Sequence, residues 1–492
     1  MDLLYRYLLD HWITIHGLAV ISGLAVYVTT SHTLHLRRHP SAAIIWVAFL
    51  IAFPYAALPF YLVFGIRKVK SYSSTSGKYE FAAQTSGPGT VPDRTRQLAA
   101  IMSLPDASSY FQLHIHQDGT NALQALRNMI VAAQHSIDLC TFIFARDNLG
   151  EEIAASLKRR AREGVRVRLL VDGIGAYLGK RANLDSLSAA GVQVALFVPP
   201  LRSSLQGRTN LRNHRKMVIA DSDWLWCGGR NLATEYFEGD ATASPNSQPW
   251  LDLSFDLHGA LARQAEQQFE QDWAFATRRE MPGSFPAVDP ALQPDTAMGQ
   301  LIASGPDQID DTLYTLLVSG FFLSNKRIMV VTPYFVPNPT LLMSLTLAAR
   351  RGVAVDLLLP RKSNHRLADL ARHRALRELT SAGGRVWILP DMIHAKAMVI
   401  DDGLALAGSA NLDERSLFLN DELMVSFYGR PASSVSPYGS NASATRSTLS
   451  RKAARNMARG RGRNAVVAGF SAISYSCASA QTLQIHWPIL LF

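Results

Sequence analysis

The chain has 492 residues, 48% of them hydrophobic, more than one compact core holds, so two packed lobes with appendages are expected. Its formal charge of +10 would suit a nucleic-acid partner, yet residues 423–492 carry eight Arg and Lys and no acidic residue. The rest of the chain is nearly neutral, and no nucleic acid is expected as a partner. Cys140, Cys227 and Cys477 lie far apart, which excludes a disulfide framework or a Cys-based metal cluster.

Residues 12–30 and 41–66 contain no Asp, Glu, Lys or Arg, and each run is long enough to cross a hydrocarbon core. A polar turn with Arg37, Arg38 and Pro40 separates them. Residues 1–70 are therefore expected to form a two-helix transmembrane hairpin. A cleaved signal peptide followed by one anchor would need a small-residue cleavage site, and the first run has no clear one. Arg6, Arg67, Lys68, Lys70 and Lys78 flank the hairpin on one side, against Arg37 and Arg38 on the other. That asymmetry predicts a multi-pass protein of the cell (inner) membrane with a cytoplasmic body. Residues 71–105 open on a stretch rich in Ser, Thr, Gly and Pro and are expected to be a polar linker.

Residues 137–175 and 328–364 read alike: an apolar strand-like run, a helix-like run, then a Gly-Val-x-Val strand. That order is the grammar of a βαβ unit. The fold expected is α/β, with two similar lobes of mixed sheet flanked by helices over 106–282 and 283–428. In the first lobe Leu261, Ala265, Phe269 and Trp273 recur at every fourth position, as in a helix laying one stripe on a core. Lys158, Arg159, Arg160 and Arg162 are read as a solvated helix face.

Each lobe carries His-x-Lys-x4-Asp, as His214, Lys216 and Asp221 and as His394, Lys396 and Asp401. On a strand, positions i and i+2 share a face, so each His and Lys would point into one site. Asp221 and Asp401 complete the signature and are counted with the catalytic residues. Seven positions from the His, they fall on the other face or beyond the strand, which suits supports better than proton-transfer groups. Small-residue turns follow, Gly228-Gly229-Arg230-Asn231 and Gly408-Ser409-Ala410-Asn411, where Asn231, Ser409 and Asn411 could meet a phosphate. Asp252 and Glu422, in strand-like settings, are candidate orienting acids, Asp252 for His214 and Glu422 for His394.

Paired motifs of this kind, each followed by Gly-Gly/Ser-x-Asn, resemble the phospholipase D superfamily, over roughly residues 112–428. The stretches RNHRKMVIAD, TPYFVP and HAKAMVIDDGLALAGSANLDERS are similar to bacterial cardiolipin synthases, as is a membrane hairpin before the first lobe. The resemblance implies two α/β lobes whose motifs meet in one site that uses neither metal nor cofactor. It implies a phosphohistidine intermediate, with the first-motif His214 attacking and His394 protonating the leaving alcohol. Donor and acceptor would both be phosphatidylglycerol, drawn from among the membrane phospholipids, with glycerol released. A hydrolytic phospholipase D or a nuclease would use the same residues on another ester, and a catalytically silent membrane scaffold is the reading from a different class. Residues 429–492 depart from the acidic, helical sequence usual at this point in the family. A basic, disordered tail or a shifted reading frame would each produce such a run.

Overall fold

The structure is a computed structural model that describes residues 11–33, 40–65, 89–116, 118–180, 184–199, 211–239, 248–280, 297–306, 308 and 311–429. The stretch 71–88 of the expected linker, residues 281–296 and the tail from 430 onward lie outside the described residues.

Helix α1 (Trp12–Thr33) is long and apolar enough to cross a bilayer. The second uncharged run departs from the expected single span. It forms α2 (Pro40–Ala52), a break at Phe53, α3 (Pro54–Phe60) and a π turn, Tyr61–Gly65. Pro54 has no N–H to continue the helix and disfavours helical geometry at the residue before it, and Phe53 accordingly sits at φ −136°, ψ 55°. The two runs still pack together: Tyr27, Leu50, Ala57 and Tyr61 form one buried cluster, and Thr30 Oγ1 lies 2.6 Å from the Tyr61 hydroxyl.

Part of the expected linker is structured. Thr90 and Asp93 form a reciprocal capping box that starts α4 (Val91–Ile101), whose Val91 and Ala99 enter the core of the second lobe. The apolar stripe is too narrow to stand out in a segment that follows a Ser/Gly/Pro run.

In the first lobe the elements run β1 (Ser108–His116), α5 (Gly119–Ala132), β2 (Ser136–Thr141), α6 (Asn148–Arg162), β3 (Arg166–Asp172), α7 (Gly173–Leu178), α8 (Leu184–Ala189), β4 (Gln193–Phe197), β5 (Arg212–Asn213), β6 (Met217–Ala220), β7 (Trp224–Gly228), β8 (Ser254–His258) and α9 (Ala260–Thr277). The second lobe has β9 (Ala297–Ser304), α10 (Thr312–Leu323), β10 (Arg327–Val331), β11 (Phe335–Val336), α11 (Pro339–Arg350), β12 (Ala354–Pro360), α12 (Arg366–Ser381), β13 (Arg385–Leu389), β14 (Ala397–Ile400), β15 (Leu404–Gly408), β16 (Leu412–Asp413), α13 (Glu414–Phe418) and β17 (Asn420–Tyr428).

The strands do not form two separate sheets. They build one of 15 strands, in which β4-β3-β2-β6-β7-β8-β1 continues across an antiparallel β1–β9 seam into β9-β17-β15-β14-β10-β12-β13. Strands β2, β3 and β4 pair in parallel, as do β10, β12 and β13, so the second half repeats the first in mirrored order. Between the lobes lies a shared core. Tyr110 and Phe255 pack edge-on against Phe427 at 5.6 and 5.3 Å, and α9 buries Leu261, Ala265, Phe269 and Trp273 in the same cluster. Four aromatic and aliphatic side chains of that size contribute roughly 1.5–3 kcal/mol each when fully buried, Ala265 less.

Candidate active site

Each motif strand is clamped to the opposite lobe before its histidine. Strand β5 pairs in parallel with the start of β17, and the His214 N–H donates to Asp421 O at 2.8 Å. Across the pseudo-symmetric position Leu251 bridges Ile393, and the His394 N–H donates to Leu251 O at 2.7 Å. These cross-lobe contacts bring the two motifs into one buried centre.

The orienting acids are exchanged relative to the sequence expectation. His214 Nδ1 lies 3.1 Å from Glu422 Oε2, and His394 Nδ1 lies 2.7 Å from Asp252 Oδ2. Each lobe's acid thus serves the other lobe's histidine, because the clamps carry β17 past His214 and the Asp252 segment past His394. A carboxylate only accepts, so both bonds put the imidazole proton on Nδ1 and leave a lone pair on Nε2. Lys216 Nζ donates to His214 O at 2.6 Å, and Lys396 Nζ donates to His394 O while standing 2.8 Å from His394 Nδ1.

Burial sets the charge states. It pushes His214 down to about 4, opposed by Glu422 and reinforced by Lys216. His394 falls to about 3 through burial and the Lys396 charge. Both rings are therefore neutral at rest near pH 7. Burial also lowers Lys216 to about 8 and Lys396 to about 7, against the pull of Asp252 and Glu422. Burial by itself would raise Asp252, but the His394 contact and the Lys396 charge hold it at about 2. Glu422 is likewise held below the usual carboxylate range by His214, Lys216 and Ser409 despite its burial. The result is two neutral imidazoles, each backed by a carboxylate, beside two lysines whose charge a bound anion would favour. An anion fits there.

Residues 126–273 and 321–436 match the family model described as cardiolipin synthase, PLD-like domain, and each segment holds one of the motifs. The chain belongs to this family, and with it to the phospholipase D superfamily. Cardiolipin synthase A of Pseudomonas fluorescens (strain SBW25) is 30% identical over 443 residues, covering 86% of this chain and 89% of that protein. Cardiolipin synthase A of Pseudomonas syringae pv. syringae (strain B728a) is 31% identical over 410 residues, covering 80% and 84%. Among solved structures, phosphatidylserine synthase of Haemophilus influenzae Rd KW20 shares the fold, with a TM-score of 0.51, 15% identity and coverage of 68% of this chain and 86% of that one.

Two residues of the family signature stand away from the centre. Asp221 follows β6 at φ 52° and its carboxylate accepts the N–H groups of Gln134, His135 and Ser136 at 2.7, 2.7 and 2.8 Å. Asp401 does the same after β14, at φ 53°, for Asn325, Lys326 and Arg327. Both carboxylates hold the turns that enter β2 and β10.

Two of the candidate phosphate ligands each engage one amide hydrogen within the protein, which leaves the second. Asn231 Nδ2 donates to the Tyr236 hydroxyl at 2.8 Å, and Asn411 Nδ2 donates to Ser416 Oγ at 3.2 Å. Ser409 is better described as a partner of the acid: its hydroxyl donates to Glu422 Oε2 at 2.5 Å and accepts from Leu423 N at 2.9 Å. Among the described residues no group of three or more His, Cys, Asp or Glu side chains could hold a metal ion.

The sequence reading missed the anchor beneath the first motif. Arg215, 1% exposed, pairs with Asp272 of α9, and its Nε and Nη2 donate to Glu422 O and Ser304 O at 3.1 and 3.2 Å. Asn213 Nδ2 also donates to Asp272, at 3.0 Å. A signal existed: Arg215 lies between two residues aimed at the site, and Asp272 adjoins the apolar stripe of α9. Also missed were the rings against the imidazoles, Phe142 at 5.0 Å from His214 and Tyr236 and Trp250 at 5.0 and 5.6 Å from His394.

Proposed function

We propose that this protein is a cardiolipin synthase that transfers a phosphatidyl group between two phosphatidylglycerol molecules. The observation that carries the reading is the single buried centre of two histidines and two lysines, in a chain resembling cardiolipin synthase A over most of its length. A bound phosphodiester anion offsets the lysine charges that depress the histidines, so one imidazole can then carry a proton.

His214 Nε2 attacks phosphorus, and a P–N bond forms as the bond to the departing glycerol oxygen breaks. His394 gives that oxygen its proton. In the second step a hydroxyl of another phosphatidylglycerol yields its proton to His394 and attacks phosphorus, the P–N bond breaks, and cardiolipin leaves. Lys216 and Lys396, with the free amide hydrogens of Asn231 and Asn411, stabilise the extra transition-state charge. His214 as nucleophile rests on the family resemblance and on its greater openness, with a side chain 14% exposed against 5% for His394.

The apolar N-terminal segments hold the body at its substrate as a two-pass hairpin. Their mutual packing and the basic residues on the body side support a cytoplasmic body in the cell membrane. The test is product analysis after incubating the full chain with glycerol-labelled phosphatidylglycerol in mixed micelles. Cardiolipin and free glycerol are expected in equal amounts. Phosphatidic acid with glycerol would mean hydrolysis instead, and cleavage of single-stranded DNA without a lipid product would mean a nuclease.

A further inference from the structure

Large apolar side chains stand uncovered on two helices that pack against neighbours of the motif residues. Helix α7 lies directly behind the ring that touches His214, since a Cβ on Gly175 would come 1.7 Å from Phe142 O. That helix ends in Tyr177 and Leu178, 63% and 58% exposed. In the second lobe the N-cap of α12, His365, meets the Tyr334 ring at 5.1 Å, and the chain reaches Tyr334 from Val331 of β10, which pairs with Ala397 next to Lys396. The first turns of α12 carry Leu367 and Leu370, 83% and 71% exposed.

The two helices follow β3 and β12, which hold the same place in the two mirrored halves, so the apolar pairs flank one site from both sides. A single exposed leucine is ordinary on a protein surface. Two pairs at equivalent positions around a buried centre form a pattern. Their surroundings are basic: Lys180 in the first lobe and Arg361, Lys362, Arg366 and Arg374 in the second are exposed, while the nearby Asp369 is engaged by Ser363 N and Arg372. Apolar tips in a cationic collar match the surface of an anionic phospholipid bilayer, where the tips enter the acyl boundary and the collar meets headgroups.

We infer that Tyr177, Leu178, Leu367 and Leu370 form a rim that docks the catalytic body on an anionic bilayer, so that a headgroup reaches the histidines without its lipid leaving the membrane. The inference rests on the phosphatidyl-transfer reading, because only a membrane-resident substrate needs such a rim.

Its test uses the full chain in proteoliposomes, in a Cys477→Ser background where Cys140 and Cys227 are buried. A fluorophore is placed at Leu370→Cys, at Leu178→Cys and, as a control, at Arg162→Cys at the far end of α6. Doxyl-labelled lipid in phosphatidylglycerol vesicles should quench the first two positions and spare the third. Quenching at none, in protein that still makes cardiolipin, would overturn the rim. Equal quenching in phosphatidylcholine vesicles would overturn the assignment to an anionic surface. In Leu367→Ser/Leu370→Ser the apparent KM in surface mole fraction should rise by about tenfold, with turnover on short-chain phosphatidylglycerol in detergent unchanged. An equal loss on both substrates would mean that the leucines serve the fold. Failure of the transfer reading itself would abolish product on every substrate and leave the quenching in place.

Discussion

In the first half of the site Gly229 faces Asp252, and a Cβ there would come 2.2 Å from Asp252 Oδ1. In the second half the equivalent position is Ser409, hydrogen-bonded to the longer Glu422, which Asn420 Nδ2 also holds at 3.2 Å. The short acid needs a bare turn beside it. The long acid, with one more rotatable bond, needs partners to fix it. In both cases the acid then crosses to the other lobe's histidine. Two lobes built alike have become interdependent: neither half holds a complete His–acid pair, and the proposed chemistry requires the docked arrangement.

The largest expected effect within this comparison concerns the lysines, which serve both halves at once. Lys396→Met should lower kcat by about 10² to 10³, the scale of losing one preorganised charge at a transition state. With Lys396 at about 7 and Lys216 at about 8, activity should fall as pH rises through that window, since the charged form is the working one. Lys396→Arg, which keeps its charge, should move the decline upward in a pH–rate profile. A rate that stays flat to pH 9 would break the assignment.

The glycine and serine should separate next. Gly229→Ala pushes Asp252 away from His394 and should cost about 10²-fold in kcat. Ser409→Ala removes one hydrogen bond to a carboxylate that keeps other partners, and should cost about tenfold. Equal losses at the two positions would show that the acids are held alike, against the difference drawn above.

Smallest in activity should be the signature aspartates. Asp221→Ala and Asp401→Ala each strip an acceptor from three backbone N–H groups and should destabilise by about 1–3 kcal/mol in denaturant unfolding, with kcat within about threefold. A loss comparable to that of the lysines would return them to the chemistry.

How much of this was legible beforehand follows from which forces are local. The His214/Lys216 and His394/Lys396 pairs could be read because strand alternation alone aims i and i+2 at one face. Asp221 and Asp401 fell on the other side of that same rule. The α9 stripe was equally plain at every fourth residue. The pairing of acids to histidines was not legible, since it depends on how the lobes dock, and the sequence shows Asp252 nearest to His214 along the chain. Capped helix α4 was hidden because Val91, Thr95 and Ala99 make a weak stripe and its partner, α10, lies more than 200 residues on. The Phe53–Pro54 break was visible in the letters but masked by the absence of charge around it.

Crossed pairing is tested most directly by asking which acid variant behaves like which histidine variant. The substrates are phosphatidylglycerol and an analogue with a p-nitrophenyl leaving group, which departs without a proton. If His394 is the general acid and Asp252 orients it, His394→Ala and Asp252→Asn should both recover the first step on the analogue, a p-nitrophenol burst with a phosphohistidine adduct at a rate within about tenfold of the unsubstituted protein. His214→Ala and Glu422→Gln should remain inactive on both substrates. Should Asp252→Asn instead follow His214→Ala and Glu422→Gln follow His394→Ala, each acid would serve the histidine of its own lobe, and the crossed site would be wrong.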